Sequence, residues 1–272
     1  MPSEPLLITL TTDFGLTDEY VGVMKGVILS RAPHAVVVDL CHHVPAQDIR
    51  HAALLLAASY RYFPATALHV AVVDPGVGTD RRLILLCTEH GRFLAPDNGL
   101  LTPVLQQTTT HTAYAVTNQA LFLKERSSSF HGRDIVAPVA AALVAGLSPA
   151  KVGPVLDPGD LVRIALPTAE IDERTRAIHG EVMLIDHFGN LITNITAAQV
   201  TALASQADRL SVAVANHAIG PLQRAYGDAP PGSLLALIGS RRVLEITVNS
   251  GNAALLLQTP PGTPVTVSLR AE

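Results

Sequence analysis

Charge is scarce in this sequence. Of its 272 residues, 15% are charged and 48% hydrophobic, and the net charge is −4. That is thin cover for a monomer's surface, and it predicts that part of the surface is buried in an oligomer. A weakly acidic chain without a basic cluster or a basic stripe interleaved with aromatics argues against a nucleic-acid partner. Long apolar runs are lacking too. The best candidate, residues 135–145, is short, contains Pro138 and is flanked by Arg133 and Asp134, so no membrane span is expected. The opening MPSEPLLITL has neither the basic region nor the cleavage site of a signal peptide. Cysteine is limited to Cys41 and Cys87, both in apolar context, which read as reduced core residues. These absences together predict a cytoplasmic protein.

Several motifs are missing. GxxxxGK[ST], GxSxG and GxGxxG do not occur, so nothing supports a phosphate loop, a hydrolase elbow or a dinucleotide fold. His42, His43, His51 and His69 follow no zinc spacing and no HExxH pair is present. No metal is therefore expected, and His42 and His43 read as a solvated loop pair.

What is present is an alternation of short apolar strands and helices. Strands are expected at residues 6–11, 35–40, 67–73, 83–88 and 113–116, and helices at 20–31, 47–62 and 135–145. This pattern predicts an α/β N-terminal domain, residues 1–160, with a mostly parallel central sheet covered on both faces. Pro149, Pro154, Pro158, Gly159 and Pro167 then break the pattern, and 161–175 reads as a linker. Residues 176–272 carry short β-runs at 180–185, 210–215, 233–238, 243–248, 253–257 and 264–269. They predict a smaller all-β, barrel-like C-terminal domain.

Polar groups collect at the ends of these strands. In VAVVDPGVGTDRR a buried strand runs into Asp74 on a Pro/Gly loop, with Arg81 seven residues on. In SSSFHGRD, His131 stands just before a helix N-terminus. A carboxylate, a fixed cation and an imidazole can hold and polarise one water. Equally, Asp74 can cap its own turn, Arg81 can form a surface ion pair and His131 can cap the helix. Asp13, in TTDFG at the end of the first strand, can chelate a ribose diol or close an Asx-turn. Asp186 and Asn190, in IDHFGN, fit either a reader of polar ligand ends or a tight turn. Ser240 and Arg241 in GSRR, and Ser250 in VNSGNAA, lie in small-residue turns that let backbone approach a planar ligand or simply join two strands.

Taken in order, TTDFG, VVDPGVGTDRR, APDNGLL, FHGRD, IDHFGNLITNI and GSRR with VNSGNAA resemble the S-adenosylmethionine hydrolases, also called S-adenosylmethionine hydroxide adenosyltransferases. These are relatives of the fluorinating and chlorinating enzymes, and the likeness runs from Ile8 to about Leu257. The resemblance implies a homotrimer with its active site between the N-terminal domain of one subunit and the C-terminal domain of its neighbour. It implies S-adenosylmethionine as substrate, adenosine and methionine as products, and no cofactor. Asp74, Arg81 and His131 match the family's water-positioning triad. Asp13 matches the carboxylate on the ribose hydroxyls, Asp186 the contact to the methionine amino group and Asn190 an adenine-side contact. Ser240 and Arg241 match contacts to the methionine and its carboxylate, and Ser250 sits where backbone reads adenine. The halogenases carry Tyr at the Asp74 position, and the fluorinating enzyme has Ser where this chain has Gly132. Two other readings stay open: an S-adenosylmethionine-dependent halogenase, and a module that binds adenosine or S-adenosylmethionine without catalysis.

Overall fold

The computed structural model describes residues 6–204 and 209–270. The chain forms two compact units, Met1–Ala165 and Leu166–Glu272.

The first unit opens with β1 (Leu6–Thr12), α1 (Tyr20–Arg31), β2 (Ala35–Cys41), α2 (Ile49–Ser59) and β3 (Leu68–Val72). It continues through β4 (Leu83–Thr88), β5 (Gly91–Pro96), α3 (Thr102–Gln106), β6 (His111–Ala115), α4 (Ala137–Val144) and β7 (Val155–Leu156). The strands form one sheet in the order β2-β1-β3-β5-β4-β6-β7. β1 runs parallel to β2 and β3, and β3 to β5, whereas β4, β6 and β7 join by antiparallel pairing. The sheet is therefore mixed, not mostly parallel as the sequence predicts. The reason is local. β4 ends at Thr88 and β5 begins at Gly91, a hairpin far too short for the dozen or so residues that a parallel crossover needs. β5 is absent from the strands expected from the sequence.

Period-2 alternation sends side chains to both faces. Leu68, Val70 and Val72 pack with Ile8, Leu10 and Leu85 against Met24 and Ile28 of α1 and Ala140 of α4. Ala71 and Val73 pack with Ile84, Leu86 and Phe93 against Ala52 and Leu56 of α2 and Val104 of α3. All five residues of β3 are buried. His69 is among them: it shares a 2.8 Å hydrogen bond between its Nδ1 and Thr9 Oγ1, and stacks on Phe93. Burial pushes its pKa down to about 4.

The second unit comprises β8 (Glu170–Asp172), β9 (Ala177–Ile185), β10 (Leu191–Thr196), α5 (Ala197–Leu203), β11 (Leu210–Val214) and β12 (His217–Gly220). β13 (Leu222–Gln223), β14 (Leu234–Ile238), β15 (Val243–Val248), α6 (Ala253–Leu257) and β16 (Pro264–Leu269) complete it. Its nine-stranded sheet runs β12-β11-β16-β9-β10-β15-β14-β13, with β8 added on β9. The two ends approach each other, giving a nearly closed, barrel-like sheet around Ile178, Val182, Leu191, Val212, Leu244 and Ile246. The unit is not all-β. Thr196 and Gln199 form a capping box that starts α5. Residues 253–257, expected as a strand, form α6 instead. Asn252 caps it by accepting from Leu255 N at 2.8 Å, and a short apolar run does not by itself distinguish strand from helix.

Within 161–175, expected as a linker, Leu161 is buried, and Val162 N and Ile164 N donate to Asp97 Oδ1 (2.9 Å) and Thr102 Oγ1 (3.0 Å). Among the described residues no helix is long and apolar enough to cross a membrane. Cys41 and Cys87 are free and half-buried.

Candidate active site

β1 and β3 lie side by side, and their C-terminal ends open into the Asp13 and Asp74 loops. The Asp74 loop closes on itself through Val77 N to Asp74 O (3.2 Å) and Thr79 N to Gly76 O (3.2 Å). Gly78 stands at φ +81, and a Cβ there would lie 2.5 Å from the carbonyl oxygen of Ser128. Only glycine fits, because the segment carrying His131 is packed directly on this turn.

That packing brings His131, 50 residues on, to the Asp74–Arg81 pair of one loop. Arg81 Nε donates to Asp74 Oδ1 at 2.9 Å and to Oδ2 at 2.8 Å, and Arg81 Nη2 also donates to Oδ2. The same Nη2 lies 3.0 Å from His131 Nδ1. The Asp74 and Arg81 side chains are 6% and 12% exposed, so this is no surface ion pair. A guanidinium can only donate, so Nδ1 of His131 must accept, and in the neutral ring the proton then sits on Nε2. Burial, and next the Arg81 charge, lower the His131 pKa against the opposing pull of Asp74 and Asp134. The ring is thereby kept neutral near pH 7.

Behind His131 the helix begins with a π-turn, Gly132–Val136, a feature frequent at functional sites. Fully buried Asp134 anchors it, accepting from Arg133 Nε at 2.6 Å and Ser127 N at 2.7 Å. Arg82 turns away from the cluster. It donates to Asp97 Oδ2 at 2.6 Å and to the carbonyl of Asp160, so the cation on Asp74 is Arg81.

Asp13 accepts from Gln47 N at 2.8 Å, with Gln47 at φ +66. A cavity of about 410 Å³ is lined by Asp13, Asp74 and His131 together with Phe14, Tyr20 and Phe130. Those three rings touch one another at centroid distances of 5.1–5.9 Å and form an apolar wall. A Cβ on Gly132 would press to 3.2 Å on Phe130 and on Met24 Sδ, so a larger residue there would displace that wall. A smaller cavity, about 290 Å³, reaches Arg81 and His131 from beside Thr79, Asp80 and Thr117.

The second unit gathers the other candidates differently. Asp186 Oδ1 accepts from Phe188 N and Asn190 N, both at 2.9 Å, and its Oδ2 accepts from Asn190 Nδ2 at 2.9 Å. Asn190 is buried, and its Oδ1 accepts from the Thr247 hydroxyl. A cavity of about 500 Å³ is lined by Asn190, Phe188, Tyr226, Thr247, Asn249 and Ser250. Ser250 has φ +57, and its hydroxyl donates to Asn249 Oδ1 at 3.2 Å. Ser240 and Arg241 are exposed on the turn between β14 and β15.

Three groups escape the sequence reading. Tyr226 donates to Glu245 Oε1 at 2.6 Å, and Glu245 is only 6% exposed. That bond, with burial and the nearby carboxylates, pushes the Tyr226 pKa up to about 12, while burial raises that of Glu245. The detectable signal was an acid inside the apolar run Val243–Val248. The third is His42. Expected as solvated, it is 2% exposed, with buried Thr12 Oγ1 2.8 Å from its Nδ1 and the partly exposed Asp39 Oδ1 2.9 Å from its Nε2. Among the described residues no group of three or more His, Cys, Asp or Glu is placed to hold a metal ion.

Comparison with known proteins bears on this arrangement. The (R)-S-adenosyl-L-methionine hydrolase of Salinispora arenicola (strain CNS-205) is 42% identical over 265 residues, covering 96% of this chain and 97% of that one. The crystal structure of an uncharacterized conserved protein from Thermotoga maritima matches with a TM-score of 0.90 at 35% identity, covering 96% of this chain and 99% of that one. The fluorinase of Nocardia brasiliensis (strain ATCC 700358 / HUJEG-1) is more distant, 27% identical over 291 residues and 97% of each chain. Residues 8–153 match the SAM hydroxide adenosyltransferase N-terminal domain and residues 180–266 its C-terminal domain. The chain belongs to the SAM hydroxide adenosyltransferase family.

Proposed function

We propose that the protein hydrolyses S-adenosylmethionine to adenosine and L-methionine, using a water that attacks the ribose 5′-carbon in line with the departing sulfur. The observation that carries this reading is the Asp74–Arg81–His131 cluster, with Asp74 and His131 on the wall of the cavity that Asp13 also lines. Relatives named (R)-S-adenosyl-L-methionine hydrolase support it, and point to the (R) sulfonium epimer.

The substrate's sulfonium leaves without an acid. As the oxygen–carbon bond forms, the carbon–sulfur bond breaks and its electron pair stays on sulfur as a neutral thioether. One sulfonium cation and one water thus give adenosine, methionine and one proton. The protein has to place the water, strip its other hydration and receive that proton. A carboxylate offers about four lone-pair sites. The contacts from Arg81 use three of them and leave one on Asp74 Oδ1. With Nδ1 of His131 accepting from Arg81, its Nε2–H can only donate. Asp74 is therefore our proton acceptor, and His131 holds the attacking oxygen and steadies its growing hydroxide character. Arg81 fixes both. Positioning of this kind can supply roughly 7–11 kcal/mol.

Asp13 would take the ribose hydroxyls. Asp186 would take the methionine amino group, Ser240 and Arg241 the methionine and its carboxylate, and the backbone at Ser250 the adenine. Asn190 has one amide hydrogen left for the adenine side once Asp186 is served. In this reading the first unit's cavity in one subunit and the second unit's cavity in its neighbour form one site within a homotrimer. The enzyme works in the cytoplasm, consistent with two free thiols, and needs no cofactor.

The test is turnover in oxygen-18 water with each sulfonium epimer, with and without chloride, read by mass spectrometry. Adenosine labelled at the 5′ oxygen, faster from the (R) epimer, is expected. A 5′-halogenated nucleoside would make the chain a halogenase. Bound nucleoside without product would make it a binding module.

A further inference from the structure

We propose that His42, oriented by Asp39, is a positioning residue for Asp13: through Thr12 it sets the hydrogen-bond direction that fixes the loop presenting the Asp13 carboxylate. This rests on the reading of Asp13 as the ribose-binding group.

The sheet itself brings these residues together. β1 pairs with β2 in register from Leu6↔Ala35 to Leu10↔Asp39, but Thr11 then pairs with Cys41. One residue of β2 is skipped. Such a bulge is how a sheet re-aims the side chains beyond it. Just past it, His42 Nδ1 stands 2.8 Å from Thr12 Oγ1. Its Nε2 lies 2.9 Å from Asp39 Oδ1, an ion-pair distance without well-directed hydrogen-bond geometry. Lys25 Nζ donates to the other Asp39 oxygen at 2.6 Å. His42 is buried, while Lys25 and Asp39 are each about one-third exposed at 31% and 39%. The chain of contacts thus runs from the surface to the base of the Asp13 loop.

Its polarity follows from donor and acceptor rules. A bare imidazole lone pair facing a carboxylate would be repelled, so Nε2 carries the proton. Nδ1 then accepts, and the Thr12 hydroxyl must donate to it. The Thr12 oxygen is left as an acceptor, and Phe14 N–H supplies it at 3.3 Å. Gly15 N–H donates to the His42 carbonyl at 2.7 Å. The Thr12 side chain before Asp13 and the Phe14–Gly15 peptide after it are therefore tied to His42, one through its ring and one through its backbone. Burial would raise the Asp39 pKa, yet the close contacts with His42 and Lys25 hold it below the ordinary carboxylate value. Asp39 is thus ionised at neutral pH and fixes the ring in a single tautomer.

The readout is the ratio of dissociation constants for 2′,3′-dideoxyadenosine and adenosine, measured by calorimetry on the full-length protein. It senses the ribose contact, which a general loss of packing would not move selectively. Wild type is expected to favour adenosine ~10-fold or more, the effect of a charged hydrogen bond. Asp13→Ala should bring the ratio near one. His42→Phe, which keeps a ring without its nitrogens, should lower it several-fold and raise KM more than it lowers kcat. His42→Asn, whose amide oxygen can accept from Thr12, should restore part of it. If Asp13→Ala leaves the ratio intact, the ribose reading of Asp13 fails. If Asp13→Ala abolishes it but His42→Phe does not, the positioning role is overturned. If Asn and Phe lower it equally, hydrogen-bond direction is not what His42 supplies. Should His42→Phe not fold, Thr12→Val breaks the same link and must lower the ratio; an unchanged ratio overturns the proposal.

Discussion

The two cavities are built on opposite plans. In the first unit the polar side chains bind one another and still retain capacity: Asp74 keeps a lone-pair site and His131 a donor N–H. In the second, Asp186 and Asn190 are bonded mainly to their own turn and to Thr247. What lines that cavity is shape: the ring of Phe188, the ring of Tyr226 and the left-handed backbone at Ser250. Chemistry needs groups whose protons and lone pairs are unfilled until substrate arrives. Recognition of a flat, neutral ligand needs a rigid frame, and a frame is rigid when its polar groups are already paired. The two plans predict different responses to mutation.

The largest effect belongs to Asp74. Asp74→Asn keeps the shape but removes the proposed proton acceptor, and kcat should fall about 10²–10⁴-fold, the usual scale for a lost general base. Adenosine affinity, measured by calorimetry, should change little. Turnover within tenfold of wild type would move the acceptor role elsewhere and erase the contrast between the units.

His131 comes next. His131→Ala should cost about 10²-fold in kcat, and His131→Gln about tenfold less, since a glutamine amide can place a donor near the Nε2 position. The pH profile carries a sign. The folded-state pKa lies below 6.5, so the ring is mostly neutral at pH 6.5 and most of the turnover should persist there. Below that, protonation puts a second donor against Arg81 and kcat should drop. His131→Gln should lack this acid limb. A profile that falls already above pH 6.5 would contradict the assigned tautomer.

Much of the first plan could be read in the sequence, because its residues sit at strand ends that period-2 burial reveals. β3 is apolar except for His69, and the Pro/Gly break after it could only be a loop. The contacts could not be read: nothing in sequence spacing says that Gly78 lets the Ser128 carbonyl approach, and that approach is what brings His131 to Arg81. Direction of pairing was hidden for the same reason. The run of six apolar or small residues in β4 looks alike in parallel and antiparallel sheets, and only the tight turn into β5 decides. His42 was misread because two adjacent histidines before a proline look like an exposed loop. The bulge between β1 and β2 buries one of them. In the second unit the turn residues could be found but their commitment could not. IDHFGN reads the same whether Asn190 faces a ligand or Thr247.

Asn190 is where the second plan can be broken at the smallest cost in activity. Asn190→Ala removes the amide that joins Asp186 to Thr247 and leaves a hydroxyl donor and a carboxylate lone pair without their partner. Stability should fall by about 1–3 kcal/mol, the cost of unsatisfied buried polar groups. The measure is a lower denaturation midpoint at unchanged denaturant sensitivity. kcat at saturating substrate should stay within a few-fold, because no proton moves through this turn. Adenosine affinity should weaken in step with the loosened frame, and Asn190→Asp should weaken it as well, since its carboxylate cannot donate to Asp186. The opposite pattern would be unchanged stability with affinity down more than tenfold. That would make the adenine-side contact of its remaining amide hydrogen, and not the bracing of the turn, the main role of Asn190, and the two cavities would then differ in the groups they present and not in whether those groups are already paired.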